Sequence, residues 1–463
     1  MAAPLKPVGG VPDGVRATDG LARGSALLFW AQVLGNAGLF VGLVILTRAL
    51  GPAGRGTIAF LTVTSIVCAR VTRLGVSDAA IVFAAQRPHL RPSLLTNLVL
   101  SVTVAAVAAA AVVSGVLVTA PDSRPSGVGD AELVILALGI LASALVDAGY
   151  SFVLGCSRFG IHALITVATA WLYALAVALV WATVGLTVAR GALLWVAVQG
   201  VKALVLLWTS ARTSGVGRPN WVLLRESIAF GIRAWIGSLS DALNDRADQI
   251  LIAFIASEAT LGVYAVAVNA WEILLYLPAA AATAVLPSVA RTDRSLRVEQ
   301  VVKAFRSVAL VSLSALAVAA VAGPPLLILV FGAPFEASIG PFLWLLPGTL
   351  GYVAVGIFSS ALMASSSPGL SSLGPVVSLG LGVVLAVVLI PRFGAEGAAI
   401  AASAALLAGG ATALILYRTR ASFSLGALIR PRPEDLDVLK ALAGPLRRHT
   451  PHQEPTSRHT RMT

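Results

Sequence analysis

Charge is what this sequence has least of. Only 12% of its 463 residues are Asp, Glu, Lys or Arg, about half the share in an average soluble domain. That scarcity, with apolar runs of about 20 residues recurring along the chain, excludes a soluble globular protein. The alternating, roughly 10-residue segments of an outer-membrane barrel are missing too. There are two cysteines, Cys68 and Cys156, both in or beside apolar runs, so neither a disulfide framework nor a cysteine metal site is expected. The histidines (His89, His162, His449, His452, His459) are scattered. No hydrophilic domain interrupts the runs. The longest loop facing away from the N-terminus is TAPDSRPSGVGDA, 119–131, with Asp122 and Asp130 far apart. A membrane glycosyltransferase or polymerase needs a larger loop with a carboxylate motif, so no enzyme is expected. The phosphate-cradling G-x-x-x-x-G-K-[ST] of a nucleotide-driven pump is also missing.

What remains is hydrophobic: 57% of the chain, with a mean hydropathy of +0.89. The pattern predicts an all-α polytopic membrane protein with twelve spans, at about 26–46, 57–85, 94–118, 132–154, 161–185, 191–210, 226–256, 262–286, 306–331, 338–364, 373–391 and 397–417. Residues 1–25, rich in Pro and Gly, read as a disordered cytoplasmic tail with no signal peptide. Residues 418–463 read as a polar cytoplasmic tail in which PEDLDVLKAL (433–442) has the pattern of a short helix. The opposite loops carry few basic residues: Arg48, Arg55, Arg124, Arg190 and Arg392. Most of the other Lys and Arg fall outside the spans on the N-terminal side, which orients both termini to the cytoplasm. The net charge of +12 is therefore topology rather than nucleic-acid binding. QRPHLRPS, after the second span, lacks the Gly/Asp/Arg signature of sugar transporters of the major facilitator type.

The chain repeats itself at an offset of 206 residues. Gly56-Thr57-Ile58-Ala59 falls on Gly262-Val263-Tyr264-Ala265, and Ala189-Arg190-Gly191-Ala192 on Ala395-Glu396-Gly397-Ala398. Six spans per half leave both halves in one orientation, which predicts two pseudo-symmetric six-helix bundles around a central cavity. The boundaries are 26–211 and 226–417, with a basic, amphipathic linker at 212–225.

The charges inside spans are rare and therefore informative. Span 7 carries Ser238, Asp241, Asn244, Asp245 and Asp248 within about 120° of helical arc, a stripe suited to a water-filled cavity and to a proton or sodium ion. Arg246 points away from it, toward a neighbouring helix. Glu272 in span 8 is a second ion-site candidate, or a partner for Arg246. Arg70 and Arg73, three apart in span 2, suit a pyrophosphate, or else pair with Asp78 or Asp147. Arg233 and Lys202 are further phosphate candidates; Lys202 can also snorkel to the cytoplasmic surface. Arg48 and Arg55 flank a glycine-rich turn and are expected among headgroups.

LTRALGPAGRGTIAF (46–60), the stretch 255–291, LILVFGAPFEASIG (327–340) and VVLIPRFGAEGAAIAASAA (387–405) together resemble the polysaccharide-exporter branch of the multidrug/oligosaccharidyl-lipid/polysaccharide exporter superfamily. The resemblance implies alternating access between two bundles. Its implied cargo is a polyprenyl-pyrophosphate-linked oligosaccharide, moved across the cytoplasmic membrane without a cofactor. It also implies contact with membrane lipids, operation beside polysaccharide polymerase machinery, and a cavity lined by spans 1, 2, 7 and 8. A two-bundle cavity needs no second subunit, so a monomer is expected. A cation-coupled multidrug antiporter of the same superfamily and a peptidoglycan-precursor flippase are the alternatives.

Overall fold

The computed structural model describes residues 14–120, 124–291, 297–364, 368–421, 423–424 and 426–429, without some side chains inside the helices. The 433–442 segment and residues 1–13 lie outside the described residues. The α-helices are α1 (Gly14–Val71), α2 (Val76–Gln86), α3 (Arg91–Thr119), α4 (Asp130–Gly155), α5 (Phe159–Thr183), α6 (Val188–Ser214), α7 (Trp221–Ile255), α8 (Glu258–Arg291), α9 (Arg297–Phe331), α10 (Ile339–Leu345), α11 (Gly348–Ala364), α12 (Pro368–Ser371), α13 (Leu373–Arg420) and α14 (Gly426–Ile429). No strand occurs among the described residues. Helix α1 already begins at Gly14, within the stretch read as a tail.

The twelve expected spans map onto fewer, longer helices. Eight described helices are long and apolar enough to cross a membrane, or nine with the bent pair Ala333–Leu345 and Gly348–Met363. Two of the eight are double length, at 45 and 52 residues. At 1.5 Å per residue each exceeds about twice the roughly 30 Å hydrocarbon thickness. Each folds at one glycine: Gly51 in α1 (φ 66°) and Gly394 in α13 (φ 54°). Spans 1 and 2 thus share α1, and spans 11 and 12 share α13. Helix α7, at 35 residues long enough to span, is not among the eight; part of it lies outside the described side chains.

Helix boundaries follow the 206-residue offset. Arg91, the first residue of α3, maps onto Arg297, the first described residue of α9. Ser214 ends α6 and Arg420 ends α13. The bend at Gly51 corresponds to Ser257, between α7 and α8, and the bend at Gly394 to Val188, the start of α6. The break in span 2 is not shared. It falls at Thr72–Gly75, where Leu74 (φ 45°) and Gly75 (φ 76°) are left-handed, whereas α8 runs unbroken through 278–281.

The halves meet mainly where α1 packs on α8 and where α1 and α2 pack on α7. Near the α1 bend, a Cβ on Gly56 would collide with the Glu258 carbonyl, and a Cβ on Gly262 with the Pro52 carbonyl. These two contacts exchange under the offset, so the pseudo-two-fold axis passes between Gly56 and Gly262. At the other end, a Cβ on Gly231 of α7 would collide with the Gly75 carbonyl. The linker is held as well. Asn220 caps α7 through Leu223 N (3.0 Å), and the Asn97 side chain of α3 brackets the Asn220 backbone, donating to its carbonyl (2.8 Å) and accepting from its N–H (3.0 Å).

Gly51 combines φ 66° with ψ −174°, a region essentially restricted to glycine and costing about 1–3 kcal/mol for other residues. Gly51→Ala is expected to lower the unfolding temperature in detergent accordingly. Gly115→Ala, in the last two turns of α3 and in open space, should leave it level or raised, by up to about 1 kcal/mol of helix propensity.

Candidate functional site

The polar stripe of α7 opens into a cavity of about 320 Å³ between α7, α8, α11 and α13. Asn244, Asp245 and Asp248 line it together with Glu272 of α8. It therefore lies within the second half, not between the halves. Asp248 is held firmly: its carboxylate accepts from the Tyr264 hydroxyl on α8 and from the Gln249 N–H (2.7 Å). Asn244 donates to the Pro375 carbonyl at the start of α13 (3.1 Å). Arg246 donates to Glu272 at 2.6 Å, and both side chains keep partial exposure, 26% and 31%. The side chains of Arg233, Ser238 and Asp241 lie outside the described residues.

Arg55 is the residue that sequence reasoning misplaced. It sits one position before Gly56 on the axis and is only 6% exposed, packed inside protein rather than projecting from the turn. Its Nε has no hydrogen-bond partner among the described residues. It interacts electrostatically with Tyr173 of α5 and with Arg246 and Glu272 across the seam. Burial of a guanidinium is costly without a partner. This one is balanced at a distance by a carboxylate already engaged with Arg246. Arg48 is also more than an interfacial anchor. It donates to the carbonyls of Leu329 and, at 2.7 Å, Val330, a cation on the C-terminal turn of α9.

Arg70 and Arg73 do not share a helical face, because Arg73 falls in the break after Val71. They converge instead on Asp147 of α4, Arg73 at 2.5 Å and Arg70 at 3.4 Å on the other oxygen. Arg73 also reaches Asp78 (3.4 Å). Its side chain is 11% exposed and that of Arg70 is 40% exposed. Arg73 is thus a structural tie of the first half, and Arg70 keeps room for another partner. The break that frees the Arg70 carbonyl gives it to Trp235 Nε1 of α7 (3.0 Å). Lys202 belongs to neither group. It lies over the Tyr150 ring (5.9 Å), on a cluster where Tyr150 also stacks with His162 (4.2 Å) and bonds Thr166 (2.9 Å).

Both ends of the seam are tied. Beside Gly56 and Gly262, the Glu258 carboxylate accepts from Ser126 Oγ and Gly127 N, both at 2.8 Å. At the other end Arg87 bonds Glu226 at 2.8 Å. Between them a polar thread crosses from α1 to α8: Gln32 donates to Asn36 (2.9 Å) and Asn36 to the Tyr276 hydroxyl (2.8 Å).

Residues 45–340 match the family model described as "Polysaccharide biosynthesis protein". A comparison with curated proteins finds no match. The fold is similar to that of the lipid II flippase MurJ in an inward closed conformation (TM-score 0.66, 12% identity, 91% of this chain and 92% of that one). It is similar to an inward-facing MATE family multidrug resistance transporter of the MOP superfamily (0.63, 14%, 84% and 94%). A third similar structure is the Vibrio cholerae MATE transporter VcmN in the bent form (0.51, 14%, 87% and 98%).

Two variant pairs test these assignments by detergent unfolding. Arg73→Gln leaves Asp147 and Asp78 short of their main partner and should cost about 3–5 kcal/mol, whereas Arg70→Gln should cost under about 1 kcal/mol. Glu272→Gln alone should destabilise more than Glu272→Gln with Arg246→Gln, because the single variant leaves the Arg246 guanidinium without its hydrogen-bonded carboxylate.

Proposed function

Since the chain belongs to the polysaccharide biosynthesis protein family and folds like exporters of the MOP superfamily, we propose that it flips a polyprenyl-pyrophosphate-linked oligosaccharide across the cytoplasmic membrane. The observation that carries this reading is the seam itself, where Arg55, buried and with its Nε unpartnered among the described residues, lies within electrostatic range of Arg246 and Glu272 of the other half. Guanidiniums contributed by both halves suit a pyrophosphate, which accepts paired hydrogen bonds. Arg70, half-exposed beside the break, is a second contact on the path. The bundles 26–211 and 226–417, joined by 212–225, rock about the Gly56–Gly262 contact and open the two ends of the seam in turn. Both termini are cytoplasmic.

No covalent step is involved. The protein lowers the barrier by offering a charged, hydrated headgroup a polar route in place of hydrocarbon. Asp245 and Asp248 supply the site for a proton or sodium ion that biases the cycle. That carboxylate cavity is also what favours the second reading, a cation-coupled multidrug antiporter. Two bundles close the route by themselves, so the working unit is a monomer, handing its cargo to polymerase machinery.

A deletion strain separates the two readings. Mass spectrometry of extracted polyprenyl-linked saccharides should show accumulation, with loss of the surface polymer. Complementation with Arg55→Gln should restore flux about tenfold less well than the parent gene, as expected for losing a charge-assisted hydrogen bond. Unchanged lipid intermediates and polymer, in a strain with no redundant exporter, would move the drug antiporter to the front.

A further inference from the structure

The segment that joins the two halves is fixed on α3. Gly215 (φ 78°) ends α6, the Gly217 N–H donates to the Pro92 carbonyl in the first turn of α3 (3.1 Å), and Thr96 Oγ1 donates to the Gly217 carbonyl (2.8 Å). With Asn220 bracketed by Asn97, the backbone is held at both 217 and 220. A held backbone displays its side chains in fixed directions. Val216, Trp221 and Val222 are 72%, 81% and 79% exposed. In the same stretch Arg212, Arg218 and Arg225 are exposed. Among the described residues no carboxylate pairs with any of the three. The nearby Glu226 is already engaged, since Arg87 bonds both its oxygens (2.9 and 2.8 Å). Arg212 lies over the ring of Trp208 at 5.0 Å.

Helix length sets the depth of this surface. Helix α6 has 27 residues, about 40 Å, against about 30 Å of hydrocarbon and about 40–45 Å with the headgroups included. Its last turns, with Trp208 and Arg212, therefore reach the headgroup layer, and the Pro92–Gly217 bond keeps the joining segment beside the start of α3. A surface both cationic and apolar matches that layer. A polyanion in water would pair the guanidiniums and leave Trp221 and Val222 wet; a zwitterionic headgroup would offer the guanidiniums a phosphate already paired with its own cation. We propose that this surface grips anionic phospholipid headgroups. The arginines pair with phosphates, and Trp221 with its apolar neighbours enters the boundary between headgroups and acyl chains. Arg212 stands on α6 of the first half and Arg225 on α7 of the second, so the bilayer holds the joint from both sides. The contact forms whatever cargo the protein carries.

The test uses the full-length protein. In detergent, phosphatidylglycerol should raise the unfolding temperature at lower concentration than phosphatidylcholine. Arg218→Gln and Arg225→Gln should each raise the phosphatidylglycerol concentration needed about fivefold. Arg190→Gln, exposed at the start of α6 and so at the opposite end of that helix, should leave it unchanged. In nanodiscs, amide exchange across 215–222 of the wild type should be slower in phosphatidylglycerol than in phosphatidylcholine. Equal effects of the two lipids would overturn the proposal, as would a phosphatidylglycerol preference that neither arginine variant moves. Equal stabilisation by glycerol 3-phosphate would overturn it in favour of a simple phosphate site. Protection of 215–222 by a soluble polyglutamate peptide but not by phosphatidylglycerol would overturn it in favour of an acidic protein partner. The wild-type exchange comparison decides the matter even if the variants misfold.

Discussion

Backbone meets backbone at Gly56 and Gly262, and the arrangement of the two halves depends on that contact. With no side chain on either, α1 and the start of α8 approach until the Pro52 and Glu258 carbonyls lie against the opposite glycines. Packing of small residues is a main source of helix affinity in lipid, where apolar surface is not driven out of its solvent. Arg55 is buried because its neighbour Gly56 is in this contact. The charges of α7 and α8 reach the seam because the same contact brings those helices alongside α1. A side chain at either glycine would separate the halves at the one point they share by symmetry.

Around that point the charge is not symmetric. The second half holds the carboxylate cavity, with Asp248 fixed by Tyr264 and Asn244 tied to α13. The first half holds its carboxylates in a compact knot with Arg73. One half is thus rigidly neutralised while the other keeps acids around open volume. The broken span 2 adds a further difference, since the Arg70 carbonyl it frees links the first half to Trp235. A shared scaffold carries two different electrostatic devices, and the seam sees both.

Sequence periodicity captured the all-helical, multi-span class and the offset that the helix boundaries follow, because each leaves a repeating signal over twenty or more residues; it did not capture the fusion of spans into double-length helices. It placed Asn244, Asp245 and Asp248 on one stripe for the same reason. What it missed depends on backbone and partner geometry. The fusion of spans 1 and 2 into one bent helix rests on Gly51 alone. Arg70 and Arg73 looked like a helical pair because nothing in RVTRLGV marks Leu74 as left-handed. Arg55 looked like a headgroup anchor because it flanks a turn; its burial goes with the close approach of α8 at the neighbouring Gly56, distant in sequence. Tyr264 gave no signal as the partner of Asp248, sixteen residues earlier on another helix.

A contact that maps onto itself when the halves are exchanged is isologous, the kind by which two identical subunits form a closed dimer. A six-helix unit meeting its own copy through this glycine would have had to carry every feature twice. Joined by the segment between α6 and α7, the copies are released from that identity: Arg55 now corresponds to Leu261, a difference no homodimer could have. Fusion thus gives the chain what symmetry withholds, a cation on one side of the axis without its duplicate on the other.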